Sequence, residues 1–542
     1  MQAAARTIVI HALAIGCTII IAVTQSQAQR GGGKSAPPKG AGRGSAQPPL
    51  GVTPKPAIPN AKPLRSCESL ATLALPNTTI ESAALDADNP GVCRVTAITT
   101  HPPAGDKVRI WVAIPTSNWN GRFLGTGGGG MSGGSPGGVN EPVALGYASG
   151  ATDTGHEGGR GAFALDAKGR LDWQLIRDNA HLGIHEMTVT GKALTQAMYG
   201  LAPRYSYFNG CSTGGRQGLM EAQRYPRDYD GIAAGAPAIH YQTFHQQQLW
   251  GSMLMNVANH PVPACKLAAA TAAAVAACDG IDGVKDGVIE DPQRCNYDPK
   301  ALIGSSAGDC GAFTQVDADL IRRLWEGPRR VDGSFMWYGL PRGADLNALW
   351  GSRGTPLKPQ PLALAVEWFQ YFVTQDPRWD WTTMTRPVFE RLSEQSVEEY
   401  GIVYGTDNPD LTAFRDHGGK AILWHGWADQ LISAEGTVDY YTRVLERMGG
   451  AQETAEFLRL FMAPGVAHCG GGIGPSPYGQ LDALLAWVEQ GRAPETLTAA
   501  RRDPDGTITR SRPLCRYPLV ARYKGNGSTG DAANYSCSAG FQ

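Results

Sequence analysis

The run "RYSYFNGCSTGGRQGLMEAQRYP", residues 204–226, constrains the fold more than any other stretch. An apolar, β-prone segment passes into a helical segment through a few small residues. A strand that turns so sharply into a helix lays that helix back along the sheet, so the next strand enters parallel to the first. The same alternation recurs. "KVRIWVAIP", "GIAAGAP", "KAILWHGWAD" and "EFLRLFMA" read as strands ending in loops, and "TVDYYTRVLERMGG" and "QLDALLAWVEQGRAP" read as helices. The pattern predicts an α/β protein with a doubly wound, mostly parallel sheet and its sites at the carboxyl ends of the strands.

The alternation fades over residues 239–410, which hold four cysteines, an Asp/Gly-rich segment and seven of the thirteen tryptophans. These residues read as a lid inserted into a catalytic domain made of 63–238 and 411–542; the alternative is a second domain unrelated to the site. Residues 1–28 have a positive start, an apolar run and small residues at Ser26 and Ala28, as a secretory signal peptide does. Cys17 offers a weak lipoprotein reading, but the apolar run continues past it. Residues 29–62 are rich in Gly, Pro, Ala, Ser and Lys and read as a disordered spacer. The apolar run of the leader is short for a membrane span, so none is expected. Setting Cys17 aside leaves ten cysteines of eleven, an even number that in an exported chain implies five disulfides and a secreted or periplasmic location. Close spacing suggests Cys67–Cys93, Cys278–Cys295 and Cys515–Cys537. With 48 basic and 49 acidic residues the net charge is −1, which argues against nucleic acid or an anionic membrane as partner. Oligomeric state leaves no mark in the sequence.

Gly210-Cys211-Ser212-Thr213-Gly214 fits G-x-S-x-G, the tight strand-to-helix turn that exposes a nucleophilic serine. The bare pattern is also compatible with an ordinary tight turn. A serine hydroxyl needs a base, and the base an orienting carboxylate. His468 follows the predicted strand "LRLFMAPGVA" and Asp429 follows "AILWHGWA", so serine, acid and base occur in that chain order at strand ends. His425 is a rival base, read here as a packing or substrate-contact residue. Acyl transfer also needs amide donors for an oxyanion. The backbone of Thr213 is one candidate, and the glycine loop Gly125–Gly133 supplies a second. Cys211 adjoins Ser212 and Cys469 adjoins His468. A bond between them would fasten nucleophile turn to base loop, whereas a free thiol at Cys211 would have no clear role.

"CDGIDGVKDGVIEDPQRC" offers the carboxylates of Asp279, Asp282 and Asp286 and the carbonyls of Val284 and Val288. These are hard oxygens of the kind calcium takes, although the EF-hand spacing is absent and a plain Asp/Gly turn cluster reads equally well.

The segments "GCSTGGRQGLMEAQRYPRDYDGIAAGAPA", "ATDTGHEG", "HGWADQLIS", "APGVAHCGGG" and "RPLCRYPLVARYKG" resemble the tannase and feruloyl esterase family of α/β-hydrolases, which also includes terephthalate-monoester hydrolases. The resemblance runs from about Cys67 to Cys537. It implies a secreted carboxylic ester hydrolase acting on small aromatic esters, with Ser212 as nucleophile, Asp429 as acid and His468 as base. It also implies oxyanion donors at the amides of Gly130 and Thr213, a Cys211–Cys469 disulfide, and a structural Ca2+ in the lid on Asp279, Asp282, Val284, Asp286 and Val288. Cys265 and Cys310 then pair by elimination. Members of the family that prefer a free para-carboxylate use a lid arginine, whereas the stretch Pro356–Phe372 offers Lys358 and no arginine. That disfavours the terephthalate alternative. The lid tryptophans suit an aromatic ring, or equally a core. A non-catalytic, calcium-stabilised binding protein and a peptidase are the readings from other classes. The first conflicts with an intact Ser, Asp and His, and the second lacks a peptide-end recognition site.

Overall fold

The computed structural model describes residues 50–540, so the expected signal peptide with Cys17, and the spacer as far as residue 49, lie outside the described residues. The nine strands of the main sheet are β1 (Thr78–Leu85), β2 (Val92–Thr99), β3 (Val108–Pro115), β4 (Arg122–Thr126), β5 (Ala148–Thr152), β6 (Tyr205–Cys211), β7 (Gly231–Gly235), β8 (Lys420–Gly426) and β9 (Leu458–Ala463). Their order is β1-β2-β3-β5-β4-β6-β7-β8-β9. The pairs from β5 through β4, β6, β7 and β8 to β9 are parallel, and the β1, β2 and β3 edge is antiparallel.

Continuous apolar runs form these strands because both faces of the sheet are covered and successive side chains point to opposite faces. Phe208, Ile232, Leu423 and Leu460 join one core with Ile184 and Met187 of helix α1 (Gly183–Tyr199), Leu219 of α2 (Thr213–Arg224) and Val444. Their neighbours Tyr207, Ala233, Ile422 and Phe461 join another with Leu481, Leu484 and Trp487. This is the doubly wound arrangement the alternation predicts.

The chain leaves the sheet after β7 and re-enters at β8. Between them lie helices α3 (Tyr241–Val257), α4 (Ala264–Cys278) and α5 (Arg386–Tyr404), with α3 and α5 packed side by side. Their core contains Trp250, Trp350 and Trp368, all fully buried. Helix α6 (Ala434–Arg447) follows β8, and α7 (Gln480–Gln490) follows β9. Described sheet and insertion belong to one compact unit. Among the described residues, Ala264–Asp282 alone is long and apolar enough to span a membrane. In the fold its Leu267, Ala270 and Ala274 pack into the insertion's core, and Lys266 pairs with Asp317 at 2.7 Å.

The structure corrects one boundary. Residues 50–62, expected to belong to a disordered spacer, lie on the body. Ala57 N donates to Asn120 O at 2.8 Å, Arg122 Nη1 donates to Lys55 O at 2.9 Å, and Ile58 and Ala61 pack on the sheet core. Such a segment buries no core of its own but can complete one that already exists.

All five expected disulfides form: Cys67–Cys93, Cys211–Cys469, Cys265–Cys310, Cys278–Cys295 and Cys515–Cys537.

Candidate active site

Ser212 sits between β6 and α2 with φ 63° and ψ −124°, a left-sided backbone that only tight surroundings hold on a non-glycine residue. Ser212 N donates to Gly235 O at 2.9 Å, and Ala238 N donates to Ser212 O at 3.1 Å. The flanking glycines are steric requirements: a Cβ on Gly210 would lie 2.5 Å from the carbonyl carbon of Gly214, and one on Gly215 would lie 2.6 Å from Gly235 O.

The three residues expected at strand ends meet. The Ser212 hydroxyl donates to His468 Nε2 at 2.9 Å, and His468 Nδ1–H donates to Asp429 Oδ2 at 2.7 Å. Asp429 is fully buried. Its Oδ1 accepts from the amides of Leu431 and Ile432 at 2.8 and 2.9 Å, and Oδ2 accepts a second imidazole, His425 Nε2, at 3.0 Å. Burial alone would raise this carboxyl; His468 and His425 outweigh it and hold it well below the usual carboxylate range. The base loop is fixed in turn by His468 N, which donates to Gln430 Oε1 at 3.0 Å. Cys211 and Cys469 join the two loops with their Cα atoms 5.9 Å apart, and Cys469, like Ser212, has positive φ.

The glycine loop lies against the serine. Gly130 has φ 64°, and its carbonyl accepts from Thr213 Oγ1 at 2.5 Å and from the Tyr241 hydroxyl at 3.1 Å. The sequence pattern did not reveal Gln217, which braces this loop, or Arg216, which packs on Tyr241, the residue that donates to Gly130 O. Gln217 accepts from Gly128 N at 3.0 Å and donates to Gly133 O at 3.2 Å. Arg216, fully buried, donates to Ala180 O at 2.7 Å and lies over the rings of Tyr241 and Tyr404. Their only sequence signal is place: they sit on the first turns of the helix after the serine. His425, read from sequence as packing or substrate contact, is instead an internal partner of Asp429; its Nδ1 accepts from Thr437 Oγ1 at 2.8 Å.

A cavity of about 560 Å3 opens over Ser212 and His468. The glycine loop and the Cys211–Cys469 bridge form one side; Tyr241, Phe244, Leu362, Leu364, Leu431 and Ile432 form the other. Among the described residues that line it, none but His468 is an Asp, Glu, Lys, Arg or His. Among the described residues no tryptophan lines the cavity; Trp250, Trp350 and Trp368 are core, and Tyr241 and Phe244 are the aromatic walls. Lys358 lies outside it, exposed on a two-stranded ribbon.

The Asp/Gly segment is folded on itself and onto the C-terminal hairpins. Asp279 Oδ1 accepts from the amides of Asp286 and Gly287, Asp282 Oδ1 from Val284 N, and Asp286 Oδ1 from Val288 N, all at 2.9–3.1 Å. Arg512 Nη2 meets Asp286 Oδ2 at 2.5 Å. Burial, with the nearby charges of Asp286 and Asp279, pushes Asp282 up to about 6. These are hard-oxygen donors crowded with like charge, which is the chemistry of a calcium loop, although Arg512 already neutralises one of the three. Asp282, Asp286 and Val288 also line a separate cavity of about 300 Å3.

The sequence profile of tannases and feruloyl esterases matches residues 93–538. The chain belongs to the tannase and feruloyl esterase family. A "Probable feruloyl esterase" of Arthroderma benhamiae is 39% identical over 482 residues, covering 86% of this chain and 87% of the relative. The "Mono(2-hydroxyethyl) terephthalate hydrolase" of Piscinibacter sakaiensis is 32% identical over 513 residues, covering 80% and 82%. Among solved structures, feruloyl esterase B from Aspergillus oryzae superposes with a TM-score of 0.77 at 28% identity, covering 87% of this chain and 99% of that one. Tannin acyl hydrolase from Aspergillus niger gives 0.78 at 25%, covering 87% and 95%. The family fold is therefore the α/β-hydrolase fold read from the sequence, with its large insertion between β7 and β8.

Proposed function

We propose that this protein is an exported serine esterase that hydrolyses small esters of neutral aromatic acids, of the feruloyl or galloyl kind, through an acyl-enzyme on Ser212. The observation that carries the reading is the continuous hydrogen-bonded line Ser212–His468–Asp429 opening into an uncharged, partly aromatic cavity. The feruloyl esterase and tannin acyl hydrolase relatives support the substrate class.

His468 takes the proton from Ser212 Oγ as that oxygen attacks the ester carbonyl, and Asp429 holds the imidazole in the tautomer that accepts at Nε2. The carbonyl oxygen gains the electron pair of the π bond; the amides of Thr213 and Gly130 would donate to it. Collapse breaks the C–O bond to the alcohol, which leaves with the proton from His468. Water, deprotonated by the same imidazole, then attacks the acyl carbon and releases the acid and Ser212.

Asp279, Asp282 and Asp286, with the carbonyls of Val284 and Val288, would hold a Ca2+ in the insertion. When bound, the ion neutralises the crowded carboxylates. The loop then stays docked through Asp286 to Arg512 and through Glu290 Oε1 to Ala521 N, remote from the reacting atoms. Export is supported by the five disulfides and the leader-like residues 1–28.

Initial rates with methyl ferulate, methyl gallate and a terephthalate monoester decide substrate class. The uncharged wall predicts kcat/KM at least about ten-fold lower for the anionic monoester, whose carboxylate would be buried unpaired. A preference for the terephthalate ester would replace this reading by the alternative. Ser212→Ala should abolish turnover and covalent labelling by a fluorophosphonate; surviving turnover would sink the mechanism.

A further inference from the structure

Behind the glycine loop lies a cluster that the esterase reading does not use. His101 and Asp106 come from the loop between β2 and β3, and Asp178 opens a π-helical turn, Asp178–Leu182, just before α1. One ligand atom from each of the three lies within 4.8 Å of the other two. His101 Nδ1 is 2.7 Å from Asp106 Oδ2 and 3.5 Å from Asp178 Oδ1, and Glu186 Oε1 lies 3.7 Å from His101 Nε2.

Charge balance makes the cluster unusual. Asp178 is fully buried and Asp106 nearly so. Asp178 Oδ1 accepts from Gln174 Nε2, whereas its Oδ2, also buried, has no hydrogen-bond partner. Among the described residues no lysine or arginine pairs with Asp106, Asp178 or Glu186. A second cluster of the same kind, His185, Glu221 and Asp228, differs here: Lys192 Nζ donates to the Asp228 carbonyl and brings a cation beside it. The first cluster gathers three carboxylates around one imidazole, in a place where a buried charge needs a counter-charge.

We propose that His101, Asp106 and Asp178 form a binding site for a divalent transition-metal ion of the zinc type at His101 Nδ1, with Glu186 facing the other ring nitrogen, Nε2. An imidazole among carboxylates favours such ions over calcium, which takes oxygen ligands alone. Tetrahedral Zn2+ with bonds of about 2.0–2.1 Å sets its ligand atoms about 3.3 Å apart. The His101–Asp178 spacing already suits this, and the His101–Asp106 contact has to open by about half an ångström. The partly exposed edge of His101 gives the ion a way in.

Asn179 wires the site to the reaction centre. Asn179, next to Asp178 in the π-helical turn, donates to Met131 O at 2.8 Å and to Thr154 Oγ1 at 3.1 Å. Met131 follows Gly130 directly. The metal would pin the turn that holds the glycine loop, and irregular helical turns of this kind are often found at functional sites.

The test uses tag-free full-length protein, stripped with chelator, dialysed against buffer containing Ca2+ and a slight excess of Zn2+, and analysed for bound metal by mass spectrometry. Wild type should retain one equivalent of zinc, and that zinc should raise its Tm. His101→Gln and Asp178→Asn, both close in size to the native side chains, should lose that equivalent and that rise while calcium content is unchanged. Asp282→Asn should keep the zinc. Wild type that retains no zinc, or zinc retained in full by both cluster variants, overturns the proposal. Neither readout involves ester turnover, so failure of the esterase reading would leave the test intact.

Discussion

His425 Nε2 donates to Asp429 Oδ2 over 3.0 Å, the oxygen that also accepts from His468 Nδ1 at 2.7 Å. Two imidazoles thus share one carboxylate oxygen, one reaching the serine and the other, fully buried, reaching only Thr437. The inner imidazole thus ties Asp429, at the end of β8, to Thr437 of α6 and braces the carboxylate from the side away from the serine.

His425→Ala should leave Thr437 Oγ1 unpaired and let Asp429 turn. We expect kcat to fall about ten-fold or more with KM little changed, and stability to drop by about 1–3 kcal/mol. His425→Gln, which can still donate, should recover part of kcat. Equal loss in both variants would mean that the ring acts only by packing. Steady-state kinetics with chemical denaturation separates the two outcomes.

Breaking the Cys211–Cys469 bridge tests whether it sets reaction geometry. The double Cys→Ala variant should lose about 2–4 kcal/mol of stability. It should also lose about ten- to a hundred-fold in kcat, since a small misplacement of the Ser212–His468 pair is costly. A variant that is less stable but fully active at 25 °C would reduce the bridge to a staple.

Chelation addresses the Asp/Gly loop. EDTA, or Asp282→Asn, should lower Tm by several degrees at unchanged kcat, because Asp286 and Glu290 dock the loop on the C-terminal hairpins and none of the loop's described residues lines the cavity over Ser212. A Tm that ignores both treatments would remove calcium from the account.

A pH prediction follows from His181. Burial, reinforced by the charges of Arg224 and Arg216, pushes it down to about 3. An unfolded chain would protonate it near 6.5. As pH falls below 6.5 the unfolded chain takes up a proton that the folded chain declines, so this residue's share of stability is present above 6.5 and is lost toward about 3. His181→Gln removes that loss. Between pH 6.5 and 5 wild type should fall relative to the variant by about 2 kcal/mol, measured by urea denaturation. Parallel pH profiles for the two proteins would show that the ring is not held neutral.

What was legible in the sequence was local or ordered along the chain. The turn around Ser212 carries its own steric signature, and Asp429 and His468 stand in the loops that follow apolar runs reading as buried strands. Cysteine spacing gave three disulfides for the same reason. The role of His425 was not legible, because it depends on α6 bringing Thr437 beside β8, a tertiary register no local pattern encodes. The tryptophans leave two readings open for a related reason: an aromatic side chain reads the same in a wall and in a core, and only packing puts Trp250, Trp350 and Trp368 inside. Arg216 and Gln217 passed unnoticed because polar residues on a first helical turn usually face water, whereas here that turn lies under the glycine loop. Composition points residues 50–62 toward a disordered spacer because it measures what a segment can bury alone, not what it can cover.

The Cys211–Cys469 link spans 258 residues and closes over the whole insertion. A chain emerging from the ribosome or a translocation channel holds the serine turn long before it holds the base or the thiol that anchors it. Activity therefore cannot precede completion of β9 and the loop beyond it, and an oxidant must act before the centre is locked. On the proposed mechanism the protein is in this sense silent until its last sheet strand is made, and its centre is locked only where thiols can be oxidised.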